Sequence, residues 1–297
     1  MASTTIDNSI PAKLDMATLV IIAITVVAWA SAFPAIRAGL TAFGAAELGA
    51  VRFGIAAVPA AIYLIIMRPA LPALGEAWRF AFGGIFFVAF YTVLLNFGEQ
   101  TVSAGAASFI INVNPIITVI LALLLLGERF RPIAWLGMII SFSGIGLIAL
   151  GEGGGLKVDS GALLILGAAF CTSAAMIVQK PLFKKHNALT VAMWNMVIGA
   201  LCLSPMLPGG LKQAASSDSH ALFAVIYLGI VPSLIAYGTW AMVLSRMPAS
   251  RAANFQYCVP PVATAMGFLW LGEVPGWVSV AGGALALGGV ILVNLRR

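Results

Sequence analysis

The sequence predicts an all-α membrane protein of ten transmembrane helices, built as two five-helix halves that cross the bilayer in opposite senses. Three observations predict it. Of 297 residues, 61% are hydrophobic and only 9% charged, against about 45–50% and about 25% in a soluble domain. The apolar residues lie in ten continuous runs, most of them close to the ~20 residues that a helix needs to span a bilayer core. The second half of the chain also repeats features of the first at an offset of 145 residues. This composition excludes a soluble enzyme, a disordered chain, a disulfide-stapled secreted domain and a nucleic-acid binder. Continuous rather than alternating runs exclude an outer-membrane β-barrel.

The first run, 16–37, follows a polar segment without a dense basic region and is too long for a signal h-region, so no cleaved signal is expected. The second, 46–67, carries Arg52. The third, 79–97, ends near Asn96, and the fourth, 104–126, holds Pro115 about midway. The fifth, 132–151, opens on Pro132 and carries the small-residue stripe Gly137, Ser141, Gly144. The sixth and seventh span 161–180 and 188–207, and the longest connection, 212–220, leads to the eighth, 220–243. The ninth, 250–271, holds Pro260 and Pro261 midway. The tenth, 275–294, carries a second stripe, Gly282, Ala286, Gly289. Cys171, Cys202 and Cys258 all fall inside runs, so buried thiols without a disulfide framework are expected.

Orientation follows from the loop cations. If the N-terminus is cytoplasmic, twelve of the sixteen Lys and Arg fall on the cytoplasmic side, three (Arg37, Lys157, Lys212) on the other, and Arg52 within a span. Both termini are therefore expected in the cytoplasm, in a plasma membrane. The net charge of +6 is then a topology signal, with anionic headgroups of the lipid bilayer as its partner.

The repeat is concrete. PIITVILALLLLGE (115–128) aligns with PPVATAMGFLWLGE (260–273), pairing Pro115 with Pro260, Gly127 with Gly272 and Glu128 with Glu273. The two small-residue stripes align at the same offset. The halves are 1–152 and 153–297, and because five spans is an odd number, the second half enters inverted. Inverted repeats are the architecture of alternating-access carriers, with substrate bound near the midplane between them.

The twice-repeated mid-helix Pro, apolar run and Leu-Gly-Glu resembles the EamA transporters of the drug/metabolite transporter superfamily. SAFPAIRAGL after Trp29, Val51-Arg52-Phe53, and the stretch YGTWAMVLSRMPASRAANFQYCVPP (237–261) carry the same resemblance. It is strongest to the YddG-type aromatic amino acid exporters. The resemblance implies ten helices and export of small molecules, often amino acids.

Helix-interior prolines kink a helix and free backbone carbonyls. In lipid such breaks belong against protein or a wet cavity, so Pro115, Pro260 and Pro261 are gating candidates. Gly127 and Gly272 suit helix C-caps. Pro132 and Pro275 suit first turns, and Glu128 and Glu273, lying before helix N-termini, are read as turn formers favoured by the macrodipole rather than as chemical groups. Polar and aromatic residues deep in spans are cavity candidates: Ser108 and Asn112 on the face of Pro115; Asn254 and Tyr257 on the face of Pro261; Ser233, Tyr237 and Trp240 in the eighth run; Tyr91 and Asn195 elsewhere. Asn112, Tyr237 and Tyr257 are the strongest of these. Asn96 and Trp29 are read as structural. Arg52 either snorkels, pairs with Glu47 or binds a substrate anion. The stripes serve close packing within the chain or, as a second reading, a weak homodimer.

No phosphate-binding loop, metal cluster or catalytic constellation stands out, so no cofactor, metal or enzyme activity is expected. A cationic drug calls for a buried carboxylate and a phosphorylated substrate for several buried cations. A zwitterion with an apolar side chain fits best: a neutral or aromatic amino acid exported through a central cavity. Alternatives are another metabolite or drug (a nucleoside, a sugar derivative, a cationic drug) or a non-transporting membrane enzyme or sensor. Glu47, Glu99, Glu128 and Glu273 all lie near helix ends, where water keeps a carboxyl ordinary, so passage by facilitated diffusion is expected. Cysteines placed at Ser160 and Ser217 in a Cys-free background should react with an impermeant thiol reagent added to intact cells. Labelling only after lysis would refute the topology.

Overall fold

The computed structural model describes residues 15–126, 132–152, 159–246, 252 and 254–294, and every regular element among them is helical. The first stretch is α1 (Met16–Ala30) and α2 (Ala32–Gly39), broken at Ser31; then come α3 (Ala45–Met67) and α4 (Leu74–Phe82). A π-helical segment, Gly83–Phe90, joins α4 to α5 (Tyr91–Gly98). Next are α6 (Ala104–Ile111), α7 (Asn114–Leu126), α8 (Pro132–Glu152), α9 (Ser160–Gln179), α10 (Ala188–Leu203), α11 (Leu207–Ser216) and α12 (Ser219–Ile230). A second π segment, Val231–Ile235, leads into α13 (Ala236–Arg246). A 3-10 turn, Asn254–Cys258, precedes α14 (Val259–Leu271), and α15 (Trp277–Asn294) follows. Six continuous stretches are long and apolar enough to cross a bilayer: Met16–Gly39, Ala45–Met67, Leu74–Gly98, Ser160–Gln179, Ala188–Ser216 and Ser219–Val243. Shorter apolar helices cover Ala104–Thr118, Trp135–Ile148 and Trp277–Leu292.

Helix starts are chemically marked. Asp15, Ser103, Asp159, Asn187 and Asp218 each accept a backbone N–H of the first turn, which satisfies donors that have no partner inside the helix. Helix ends close in two places on a left-handed residue, Arg68 at φ 42° and Gly272 at φ 67°. Gly272 thus has the C-cap role its position suggests; Gly127 and Glu128 lie outside the described residues. Pro132 opens α8, whereas Pro275 lies two residues ahead of α15 rather than inside its first turn.

The polar stretch after the seventh run is not wholly the connection expected at 212–220: α11 is helical to Ser216. Pro208 starts it without losing a hydrogen bond, and Gly210 lets it press on α3, where a Cβ would stand 2.6 Å from Val51. The cysteine expectation also needs correction. All three are free, but only Cys171 is buried; Cys202 and Cys258 are exposed. An apolar run turns part of its circumference outward, where an apolar side chain suits lipid.

Helices from the two halves pack in pairs: α3 against α10, α6 against α14, α8 against α15, α1 against α13 and α5 against α9. The α8–α15 contact is the closest approach. A Cβ on Gly144 would stand 2.5 Å from the Ala286 nitrogen, one on Gly282 would meet the Gly144 carbonyl at 2.6 Å, and one on Gly289 would meet the Gly137 carbonyl at 2.5 Å. The two stripes therefore face each other, backbone on backbone, within one chain, which leaves neither stripe free for a second copy.

Hydrogen bonds sort the helix ends into two sets. Arg246 donates to Thr18 at 3.2 Å, Arg79 donates to the Val178 carbonyl, and Glu76 takes Lys185 at 2.6 Å and His186 at 3.3 Å. In the other set Arg37 meets Glu273 at 2.9 Å, Thr101 donates to Asp159 at 2.7 Å, and the Gly44 N–H donates to Gln213 at 3.1 Å.

A side chain at Gly144 must push α8 and α15 apart. Gly144→Leu should lower stability in detergent by about 1–3 kcal/mol, read as a fall in the thermal midpoint. Gly146→Ala, on the same helix with nothing within 4 Å of the new Cβ, should leave it unchanged.

Candidate functional site

The site is built where helices are interrupted. Pro232 has no N–H, so the carbonyl four residues back, Leu228, loses its helical donor. The backbone widens there into the π segment Val231–Ile235, and Ser233 Oγ donates to the Leu228 carbonyl at 2.9 Å in compensation. π turns often occur at functional sites, and the first half carries its own in the third run, Gly83–Phe90. Pro115 and Pro260 act alike: each sits in the first turn of a helix that follows a break, at 112–113 and at the 3-10 turn Asn254–Cys258. At the first break Asn112 donates to the Ser108 carbonyl at 2.9 Å, and from α9 Thr172 and Ser173 donate to Asn114 at 3.1 Å each. The break at Ser31 is bridged from α12, with Tyr227 Oη donating to Ser31 Oγ at 2.8 Å.

Arg52 stands at the centre of this region. It is only 5% exposed, so it does not snorkel, and it does not pair with Glu47. Its Nε donates to Ser233 Oγ at 3.0 Å, and its guanidinium lies 5.0 Å from the Phe53 ring centroid. Among the described residues no carboxylate lies within ion-pair distance of it. Tyr91 and Tyr237 are close enough to interact with it electrostatically. Tyr237 is edge-on to Trp29 at 5.9 Å and to Phe87 at 6.1 Å, and Trp29 packs against Trp240 at 5.2 Å. Thr25 and Thr239 hydrogen-bond at 2.7 Å, holding α1 to α13 beside these rings. A buried cation, two phenols and an aromatic wall thus come together from α1, α3, α5 and the π–α13 region.

Of the residues singled out in the sequence, Tyr91, Ser233, Tyr237, Trp240 and Arg52 join this cluster. Ser108 and Asn112 lie at the α6–α7 break and bond within their own helix, Ser108 Oγ to the Gly105 carbonyl at 2.5 Å. Tyr257 is half-buried on the 3-10 turn against the main core, and Asn254 begins that turn. Asn195 lies apart: its amide is matched head-to-tail with Gln179 at 2.8 and 3.0 Å, beside Arg79. Asn96 has the structural role expected of it, donating to the Ala45 carbonyl at 2.8 Å. Trp29, read from the sequence as structural, and Phe87, not singled out there, complete the aromatic wall; Trp29 falls two residues before the Ser31 break.

Glu273 does more than form a turn. Its N–H bonds back to Gly267 at 3.3 Å, while its carboxylate takes Arg37 Nε and the Ala104 N–H, both at 2.9 Å. It therefore caps α6, in the other half, rather than α15. Close by, Glu99 is fully buried, which overturns the expectation that water reaches it.

The sequence profile of the EamA-like transporter family matches the chain twice, over residues 16–150 and 159–295. The chain belongs to this family. Its EamA-like relatives include a probable terminal-alkyne amino-acid exporter of Streptantibioticus cattleyicolor, 37% identical over 92% of both chains. They also include an uncharacterized transporter, YdfC, of Bacillus subtilis, 34% identical over 90% of this chain and 88% of that one. A probable amino-acid metabolite efflux pump of Salmonella typhimurium is 26% identical over 91% and 92%. One solved crystal structure superposes with a TM-score of 0.61 at 19% identity, covering 94% of this chain and 96% of that one, a likeness of fold. The EamA-like chain is a multi-pass membrane transporter.

Ser233→Ala should cost about 1–3 kcal/mol, because it strips a partner from both a buried guanidinium and a freed carbonyl. The thermal midpoint in detergent measures this, and Ser204→Ala, an exposed hydroxyl bonded only to its own turn, should leave it unchanged.

Proposed function

We propose that this chain exports neutral amino acids, preferentially aromatic ones, by alternating access between two inverted five-span halves, with both termini in the cytoplasm. The observation that carries the proposal is Arg52, a buried cation with no counter-ion among the described residues, walled by aromatic rings. Removing a guanidinium from water costs several kcal/mol unless it is paired. A substrate carboxylate supplies the missing charge, and Trp29, Phe87, Tyr237 and Trp240 receive an apolar or aromatic side chain. Breaks at Ser31 and at residues 112–113 offer hydroxyl, amide and carbonyl groups for an ammonium. The relatives named as amino-acid exporters support the same substrate class, and a binding site without reacting groups suits a carrier rather than an enzyme.

The inverted arrangement has its own support. The two family matches begin at Met16 and near Asp159, whose contacts belong to opposite sets of helix ends. Pairings between halves are symmetric under exchange: second run with seventh, fourth with ninth, fifth with tenth, and first–eighth mirrored by sixth–third. The set holding Arg79, Lys185 and Arg246 is rich in cations, as a cytoplasmic face is.

Proteoliposomes carrying the full chain should show counterflow of labelled phenylalanine. Unlabelled tryptophan should compete, and phenethylamine, which lacks the carboxylate, should not. Arg52→Gln should cut the rate at least tenfold (about 1.4 kcal/mol or more) while the protein remains monodisperse. Equal competition by the amine would refute the anion role of Arg52 and favour a cationic drug as substrate.

A further inference from the structure

We propose that Glu99 is a proton-binding site tied to a latch between the two halves. It holds a proton while the latch is closed and gives it to water when the latch opens, so that opening of this face is gated by pH. The inference rests on the alternating-access reading above.

The latch is Arg37. Its Nε donates to Glu273 Oε1 at 2.9 Å, and its Nη1 donates to the main-chain carbonyl of Glu99 at 2.6 Å, with the Gln100 and Val102 carbonyls at 3.4 and 3.5 Å. The second oxygen of Glu273 accepts the Ala104 N–H. One guanidinium and one carboxylate therefore tie α2, the α5–α6 link and the end of α14 together across the two halves.

Glu99 follows the Leu74–Gly98 stretch and lies against this latch. It has no exposed surface, and neither carboxyl oxygen has a hydrogen-bond partner among the described residues. The nearest cation, Arg37, binds its backbone instead of its side chain. The charged and titratable groups facing Glu99 are Arg37 from α2, Glu273 beyond α14, Arg52 from α3 and Tyr91 from its own helix. Asp159, at the head of α9, is turned to Thr101 and the Gly161 N–H. An unpartnered buried carboxylate is costly in its ionised form and protonates instead. Burial pushes the Glu99 carboxyl well above the usual carboxyl range; Glu273 adds to the rise, and Arg37 and Arg52 oppose it.

Opening the latch reverses each influence. Water reaches the carboxyl, and Arg37, released from Glu273, is free to pair with it, so its pKa falls back toward the ordinary carboxyl range. The open form then binds one proton fewer. Opening is favoured as pH rises between the open and closed values, by up to about tenfold per pH unit, and acid holds the latch shut. The pH on the side of the latch thereby sets how readily that face opens.

The test uses the purified full-length protein in detergent, Cys-free, with a single cysteine at the buried Val102 beside the latch. The probe is maleimide labelling, normalised at each pH to Ser217→Cys. From about pH 5 to about pH 9 the normalised rate should rise by tenfold or more. Glu99→Gln, held in the protonated form, should stay slow and flat, and Glu273→Gln should label fast throughout. A flat profile in the parent protein, or an unchanged rise in Glu99→Gln, overturns the proposal. If Glu99→Gln does not fold, Glu99→Asp should displace the midpoint, and an unmoved midpoint also overturns it. In proteoliposomes, phenylalanine counterflow should slow as the pH on the latch side falls, and this dependence should be lost in Glu99→Gln. If labelling titrates as stated but no amino acid moves, the transport reading fails and the proton site stands.

Discussion

A backbone carbonyl freed inside an apolar medium must find a donor, and this constraint organises the centre of the molecule. Each proline that interrupts a helix removes one N–H, and water is not there to replace it. The replacements are local and specific: Ser233 serves the carbonyl that Pro232 orphans and Ser173 the Asn114 carbonyl, while Thr172 and Tyr227 hold the side chains of Asn114 and Ser31 at the other breaks. Since the donors often come from a different helix, the interruptions also fix how helices meet. The same hydroxyl of Ser233 that repairs the π segment receives Arg52, so backbone repair and placement of the charged side chain are one arrangement.

Charge is handled in the same way. Among the described residues two charged side chains, Arg52 and Glu99, are withdrawn from water without a close counter-ion, although burying either is costly. Both lie near junctions between the halves, Arg52 against the second π segment and Glu99 against the Arg37–Glu273 pair. Surface ion pairs such as Glu76–Lys185, by contrast, contribute little and serve to fix helix ends. The molecule thus keeps these two unpaired charges beside the contacts between its two repeats.

The helical class, the two-fold repetition and the breaks beside Pro115 and Pro260 were legible because each rests on a local signal: run length, a repeated motif, a proline; the breaks at Ser31 and in the two π segments were not. The half of the site on the eighth run was legible for the same reason, since Ser233, Tyr237 and Trp240 stand out in apolar sequence. Trp29 and Phe87 were not, because an aromatic ring in an apolar run looks alike whether it faces lipid, core or substrate. Glu99 was misread for a related reason. Sequence places it at a helix end, but a helix end is wet only if no other chain segment covers it, and here Arg37 and the α5–α6 link do. The extension of the seventh run into α11 was hidden by polar composition, which packing on α3 outweighs.

The contact between α8 and α15 has a consequence beyond rigidity. Gly137 lies against Gly289 and Gly144 against Gly282, and each partner is the repeat equivalent of the other residue. The surface is therefore self-complementary, the geometry of an isologous dimer, carried inside a single polypeptide. Any change in the size of a stripe residue in one copy must be met by the residue that faces it in the other, Gly289 for Gly137 and Gly282 for Gly144, so the two copies cannot vary independently along this seam even where the rest of their surfaces have diverged.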